Sequence, residues 1–273
     1  MIKNKILALL FSLMFMLTSC GEYQKVLNRG TTDEQYKMAV KLYESQKYSK
    51  ALRLFEKITP AYRAKPQMER IQFMVSQSNF NVKNYAMAGY YFDRFAKNYP
   101  KSSKAEEAEF LSALSYYKSS PSFSLDPTDT NKALESFQKF IDKYPESKRL
   151  VEANKYYGEL RYKLEKKAFE IAKTYYRTAD YDSRNYRAAI VAMDNLLSDY
   201  LGTSFKEEAL YYRLKAAHDF AMKSTNRRKT ERIEEALKAY EKLTRNFPNS
   251  KFLVDSNKMS AALKKEQKQL VKS

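Results

Sequence analysis

The sequence predicts an all-α fold, a helical-repeat solenoid of about five helix pairs with a C-terminal capping helix. Three observations predict it. Glycine is scarce, with 5 in 273 residues. Long stretches of Ala, Leu, Lys, Glu and aromatic residues, broken at intervals by Pro, Asn and Ser, favour helices joined by short turns over a turn-rich β-protein. One apolar register occurs in five copies: Ala51-Phe55-Ile58-Tyr62, Ala88-Phe92-Phe95-Tyr99, Ala133-Phe137-Phe140-Tyr144, Ala189-Met193-Leu196-Tyr200 and Ala236-Tyr240-Leu243-Phe247. Steps of four, three and four place these side chains on one helical face. Three copies end in a turn signal, Tyr99-Pro100-Lys101-Ser102, Tyr144-Pro145-Glu146-Ser147 and Phe247-Pro248-Asn249-Ser250. Proline biases the residue before it out of the helix, and serine is placed to cap the next one. The fourth copy, Tyr200-Leu201-Gly202-Thr203, substitutes a glycine break.

From the N-terminus, Lys3 and Lys5 precede an apolar run from Ile6 to Leu17, the pattern of a secretory signal peptide over residues 1–19. The run falls short of the roughly 20 apolar residues a membrane span needs. It stops at Leu17-Thr18-Ser19-Cys20, which resembles the lipobox of bacterial lipoproteins. Cys20 is the only cysteine, so it has no disulfide partner in the chain and is a lipid anchor or a stray thiol. The lipobox favours the anchor, and residues 20–31 are then expected to be a lipidated N-terminus and tether. The following Gly21-Glu22-Tyr23-Gln24 lacks the acidic cluster that resembles a surface-export signal. The expected location is the outer membrane, lipid-anchored and facing the periplasm.

A second amphipathic segment precedes each alanine, as in Met38-Ala39-Leu42-Tyr43 ahead of Tyr48 and Val75-Ser76-Phe80 ahead of Tyr85. Each repeat is thus a helix pair. The small residues Ala39 and Ser76, the aromatics Tyr48, Tyr85 and Tyr186, and the proline after the second helix resemble the tetratricopeptide (TPR) pattern. Repeats one to three are expected over residues 32–147, and repeats four and five with the capping helix over 148–270. The alanines recur at intervals of 37, 45, 56 and 47 residues, above the ideal of about 34. Extra length is expected in loops or extended helices, notably Ser119 to Thr130 and Tyr181 to Tyr186.

In that register Ala39, Ser76 and Ala113 take the small-residue position of the first helix. Tyr36, Tyr43, Phe73, Phe80, Phe110 and Tyr117 then face the concave side, with Lys37, Lys41 and Lys83 nearby. Burial beneath the next repeat is one account of this aromatic row. The other is a groove for an extended or helical peptide with aromatic anchors and a free carboxylate.

Catalytic chemistry is not expected. The chain has one histidine, His218, and one cysteine, too few for a metal-ligand set or a Ser-His or Cys-His pair. No Gly-rich phosphate loop occurs, and no cofactor or metal is expected. The formal net charge is +18, falling to +16 when Lys3 and Lys5 leave with the signal peptide. Such a balance favours acidic partners, whether lipid headgroups, lipopolysaccharide or protein; export makes nucleic acid an unexpected one. The densest basic stretches are Asn226-Arg227-Arg228-Lys229 and Lys264 to Lys272.

Asp126-Pro127-Thr128-Asp129-Thr130, followed by Ala133 to Ser147, resembles the third repeat of the BamD family. Leu160 to Leu164, Lys167, Ile171-Ala172-Lys173, Tyr175-Tyr176, Tyr186 to Ala189 and Glu207 to Leu210 follow that family's fourth and fifth repeats in order. The resemblance implies an outer-membrane lipoprotein of the β-barrel assembly machinery, a five-repeat solenoid. It would dock on the periplasmic domains of the barrel insertase, associate with other assembly-machinery proteins and help deliver unfolded outer-membrane proteins. Where many members read Ala-Ala-Ile-Asn-Arg-Phe, this chain has Ala188-Ala189-Ile190-Val191-Ala192-Met193, so an arginine associated with the insertase contact is missing. The docking surface is expected in the C-terminal half, around Arg227 and Arg228. Two rival readings are another periplasmic TPR scaffold lipoprotein, serving cell-wall or division proteins, and a glycan-binding lipoprotein. The absence of tryptophan counts against the latter.

Overall fold

The structure is a computed structural model and describes residues 21–271. The expected signal peptide and Cys20, the expected lipid anchor, lie outside the described residues. Among the described residues the regular structure is helical throughout, with no strand. A helical stretch over 21–29 (α1) is followed by α2 (Thr32–Glu44), α3 (Tyr48–Tyr62), α4 (Gln67–Asn81), α5 (Tyr85–Asn98), α6 (Ala105–Ser119) and α7 (Thr128–Lys143). Then come α8 (Leu150–Thr178), α9 (Arg184–Asp199), α10 (Lys206–Met222), α11 (Asn226–Asn246) and α12 (Leu253–Leu270). Helices α2 to α11 form five TPR-like pairs, and α12 follows them as the cap.

The chain forms two compact units. One takes in the described residues up to Pro121 together with Pro127–Gly158; the other takes in Ser122–Asp126 and the residues from Glu159 onward. In the first four pairs the two helices meet through small side chains, and in the fifth Leu214 stands with the small Ala236. The marker positions of the first helices, Ala39, Ser76, Ala113, Ala172 and Leu214, are all fully buried. So are the second-helix alanines, Ala51, Ala88, Ala133, Ala189 and Ala236. Around them pack the aromatics of the register, with Phe55, Phe92, Phe95, Phe137 and Phe140 among the largest fully buried side chains.

Repeats two to five share a polar latch that fixes each turn to its own first helix. The turn hydroxyl donates to a glutamate seven residues before the first-helix marker: Ser102 to Glu69 at 2.6 Å, Ser147 to Glu106 at 2.6 Å, Thr203 to Glu165 at 2.9 Å and Ser250 to Glu207 at 2.6 Å. The same oxygen accepts the backbone N–H two residues on, at 3.1 to 3.2 Å, and so opens the next helix. The first repeat has Thr32 and Lys65 at these positions and no such pair.

The latch also locates the extra length of the fourth repeat. Its glutamate follows the previous turn hydroxyl by four residues at Ser102 and at Thr203, but by eighteen at Ser147. The fourteen additional residues are helical and lengthen α8 to 29 residues. The expectation that this length sits at Tyr181 to Tyr186 is therefore corrected: it lies in the first half of α8, where the boundary between the units falls. The third repeat does carry a loop between Ser119 and Thr128. Its residues 122–126 belong to the second unit, where Lys167 Nζ donates to the Leu125 carbonyl at 2.8 Å and Lys166 Nζ lies 4.6 Å from the Phe123 ring centre.

Residues 21–29, within the expected tether, are helical and packed on the first repeat. Tyr23 is buried among the side chains of α2 and α3, and its hydroxyl donates to the Lys50 carbonyl at 3.4 Å. Gln35 Nε2 donates to the carbonyls of Val26 and Leu27 at 3.1 and 3.2 Å, and the Lys57 ammonium donates to the latter too. Gly30 ends α1 at a point where a Cβ would come within 2.5 Å of the Val26 carbonyl oxygen, so the chain needs glycine there to turn closely into α2. Thr31 then caps α2 through a capping box with Glu34.

The latches differ in burial, and their removal should differ with it. Glu165 is buried and also accepts Arg161 Nε at 2.9 Å, so Glu165→Ala removes a charge-assisted bond and leaves the buried Thr203 hydroxyl without its acceptor, and should cost about 2 kcal/mol. The Ser147 latch is exposed, and Ser147→Ala should cost about 0.5–1 kcal/mol. Urea denaturation checks the order, which equal midpoints for the two variants would contradict.

Candidate functional site

In the first unit, α2 and α4 present one face of each first helix to a shallow groove of 420 Å³. Tyr43 from α2 and Phe73 from α4 line it together, with Gln77, Arg70, Phe95 and Lys104. The Tyr43 hydroxyl donates to Gln77 Oε1 at 2.5 Å, and its ring meets Tyr48 and Phe55 edge-on at 5.7 and 6.5 Å. Burial, assisted by Tyr48 and Glu107, pushes the Tyr43 hydroxyl pKa up to about 12, so it stays a neutral donor near neutral pH. Phe73 packs edge-on against Phe92 and Phe95 at 5.8 and 5.3 Å, and Lys104 Nζ lies 5.4 Å from its ring centre.

The other predicted anchors lie elsewhere in the same unit. Tyr36 leans on Tyr62 at 5.3 Å within the core of the first repeat. Phe80 packs against Tyr85 at 5.5 Å, and Tyr117 against Tyr156 at 4.5 Å. Phe110 requires correction: it is 1% exposed, enclosed by Phe137 and Phe140 and covered by the Arg149 guanidinium 4.9 Å from its ring centre, so no ligand reaches it. The cations beside the groove are also not the expected Lys37, Lys41 and Lys83. They are Arg70 and Lys104, paired with Glu44 at 3.5 Å and Glu107 at 2.8 Å. The Arg70 pair is more than half exposed on both sides and so contributes little to stability, leaving the guanidinium available to a ligand carboxylate. A signal for this existed in the sequence: Arg70, Phe73 and Gln77 stand at steps of three and four, one face of a helix.

In the second unit, Arg227 and Arg228 occupy the first turn of α11 and are exposed. That turn holds no acidic residue, so each cation faces the positive end of the helix dipole, an arrangement unfavourable by about 0.3–1 kcal/mol. Arg228 pairs with Glu231 at 3.3 Å, and Lys229 turns away to Glu266 at 2.7 Å. Arg232, one turn on from Arg228, lies over Phe220, its guanidinium carbon 3.6 Å from the ring centre. His218 is a structural residue here: its Nδ1 bonds to Asp219, which also accepts the Tyr176 hydroxyl at 2.7 Å. Burial works to raise the Asp219 pKa, but these two bonds outweigh it and hold the carboxyl below the usual range. Among the described residues no group of three or more His, Cys, Asp or Glu is placed to hold a metal ion, and no helix is long and apolar enough to cross a membrane.

The family model YfiO, described as outer membrane lipoprotein, matches residues 28–230 and 178–269. The chain is 26% identical over 222 residues to the outer membrane protein assembly factor BamD of Rickettsia prowazekii, covering 80% of each chain. It is 28% identical over 133 residues to a putative assembly factor BamD of Aquifex aeolicus, covering 46% of this chain and 42% of that one. Over 83 residues it is 26% identical to BamD of Helicobacter pylori, covering 30% and 38%.

Proposed function

Since the chain belongs to the YfiO family of outer membrane lipoproteins, we propose that it is a non-catalytic assembly factor for outer-membrane β-barrel proteins. The observation that carries this is the family match across both units, together with relatives named as outer membrane protein assembly factors. The anchor is Cys20, and the protein faces the periplasm. The second unit docks on the barrel insertase through the first turn of α11, where Arg227 and Arg228 oppose the helix dipole and an acidic partner relieves them. Ala192 stands at the position of the missing family arginine, and beside it Val191 on α9 is 49% exposed, so this chain offers apolar side chains where many members read Asn-Arg. The first unit receives the substrate: a barrel protein ends in a strand with a terminal aromatic and a free carboxylate, and Tyr43, Phe73 and Arg70 match that chemistry. Depleting the chain from cells tests the reading. Folded barrel proteins, followed by their heat-modifiable mobility, should fall while soluble periplasmic proteins keep their levels; barrels that go on folding would refute it.

A further inference from the structure

The segment that follows Cys20 is a docked helix, and this sets what the first repeat must touch. Tyr23 and Leu27 tie α1 to α3, through the Lys50 carbonyl and the Lys57 ammonium. Gln35 ties its end to α2. Cys20 directly precedes Gly21, so acyl chains on Cys20 leave the bilayer about one residue, roughly 3.8 Å, from helical residues already packed on the fold. The α1 side of the first repeat is then held at the bilayer surface.

That side is basic. Lys25 and Arg29 stand four apart on α1, and both are exposed. Lys50, Arg53 and Lys57 follow at steps of three and four along α3, the face that meets α1, with Lys50 Nζ 5.2 Å from the Tyr23 ring centre. The acids of these two stretches are Glu22 and Glu56, and Glu56 lines a separate cavity with Tyr91 and Arg94. Nearby on α2, Asp33 is taken by Lys37 and Glu34 by the Thr31 cap. Among the described residues, none of the five cations is in an ion pair. Folding leaves the cluster uncompensated where a membrane-bound chain meets headgroups.

We propose that Lys25, Arg29, Lys50, Arg53 and Lys57 form a membrane-facing surface for anionic phospholipid headgroups, which fixes the orientation of the first unit on the bilayer. The proposal rests on the reading of Cys20 as the anchor, and its test is separable from that reading. The full mature chain carrying Cys20→Ser is mixed with phosphatidylcholine vesicles, with or without phosphatidylglycerol, and binding is read by co-sedimentation. It should bind the anionic vesicles and not the neutral ones, and high salt should abolish the binding. Each basic side chain at such a surface strengthens partitioning about fivefold, so Lys25→Glu/Arg29→Glu/Arg53→Glu should weaken it by about a hundredfold or more. Reversing the same number of charges on α12, with Lys264→Glu/Lys265→Glu/Lys268→Glu, should change it by no more than about twofold. A parent chain that ignores anionic vesicles overturns the proposal, as does equal loss in the two variants, which would mark attraction by net charge alone. The mass of the N-terminal peptide from membrane-extracted wild type reports acylation independently: an unacylated Cys20 removes the anchor and leaves the vesicle comparison standing.

Discussion

The Cys20→Ser protein is expected to leave the outer membrane on a salt wash, whereas the wild-type chain stays in the membrane pellet. The acyl chains of a lipoprotein together hold far more strongly than one, because each buried methylene adds about 0.8 kcal/mol and a single chain binds only marginally. Among the described residues no helix is long and apolar enough to cross a membrane. What remains after the substitution is charge attraction, at Lys25, Arg29, Lys50, Arg53 and Lys57 toward headgroups and at Arg227 and Arg228 toward the insertase, which salt screens. Fractionation followed by a salt wash reads the outcome. Salt-resistant sedimentation of Cys20→Ser would mean that another element anchors the chain.

Replacing Tyr43 and Phe73 together, as Tyr43→Ala/Phe73→Leu, is expected to weaken binding of a barrel protein's C-terminal strand peptide by about thirtyfold or more, the scale of a hot spot of some 2 kcal/mol. These are the two predicted anchors that line one groove, with Gln77 held to Tyr43 and Lys104 above the Phe73 ring. Leucine at 73 keeps most of the volume packed against Phe92 and Phe95, so helicity should survive, which circular dichroism checks. Arg70→Glu alters an exposed side chain and separates charge from shape: it should weaken the free-carboxylate peptide about fivefold to tenfold and leave an amidated one unchanged. Phe110→Leu, in the core, should lower stability by about 1 kcal/mol without changing peptide affinity. Peptide affinity that survives both the Tyr43/Phe73 and the Arg70 changes would remove the groove from the mechanism.

The repeat architecture was legible because its signal is redundant. Five alanines each lead an aromatic row at steps of four, three and four, and all five are buried at helix contacts. The lengthening of α8 was not legible, because fourteen residues are close to four whole helical turns and leave the amphipathic phase nearly intact, with no break to mark the insertion. α1 escaped notice for a different reason. Its described residues, 21–29, are held by Tyr23, Gln35 and Lys57, partners that sequence spacing does not connect.

The groove was legible in part. Spacing placed Tyr43 and Phe73 on suitable faces, but it placed Phe110 there equally, because all three occupy helix faces turned toward their own second helices. Only the three-dimensional neighbours decide which ring stays open, and at Phe110 the Arg149 guanidinium closes it. The cations were misjudged in the same way: Lys37 is near Tyr36 in sequence but is bound to Asp33, while Lys104 reaches Phe73 from a turn two elements away. The latch glutamates were invisible among 32 acidic residues until the hydroxyls they accept from were in place.

Affinity capture of the intact lipoprotein from detergent-solubilised outer membranes tests the central claim most directly. The account predicts that the barrel insertase co-purifies with the wild-type chain and is lost with Arg227→Glu/Arg228→Glu, while that variant keeps its thermal midpoint and its place in the membrane. A wild-type chain that brings down no barrel-forming subunit, under conditions where its own membrane anchorage is intact, would contradict it.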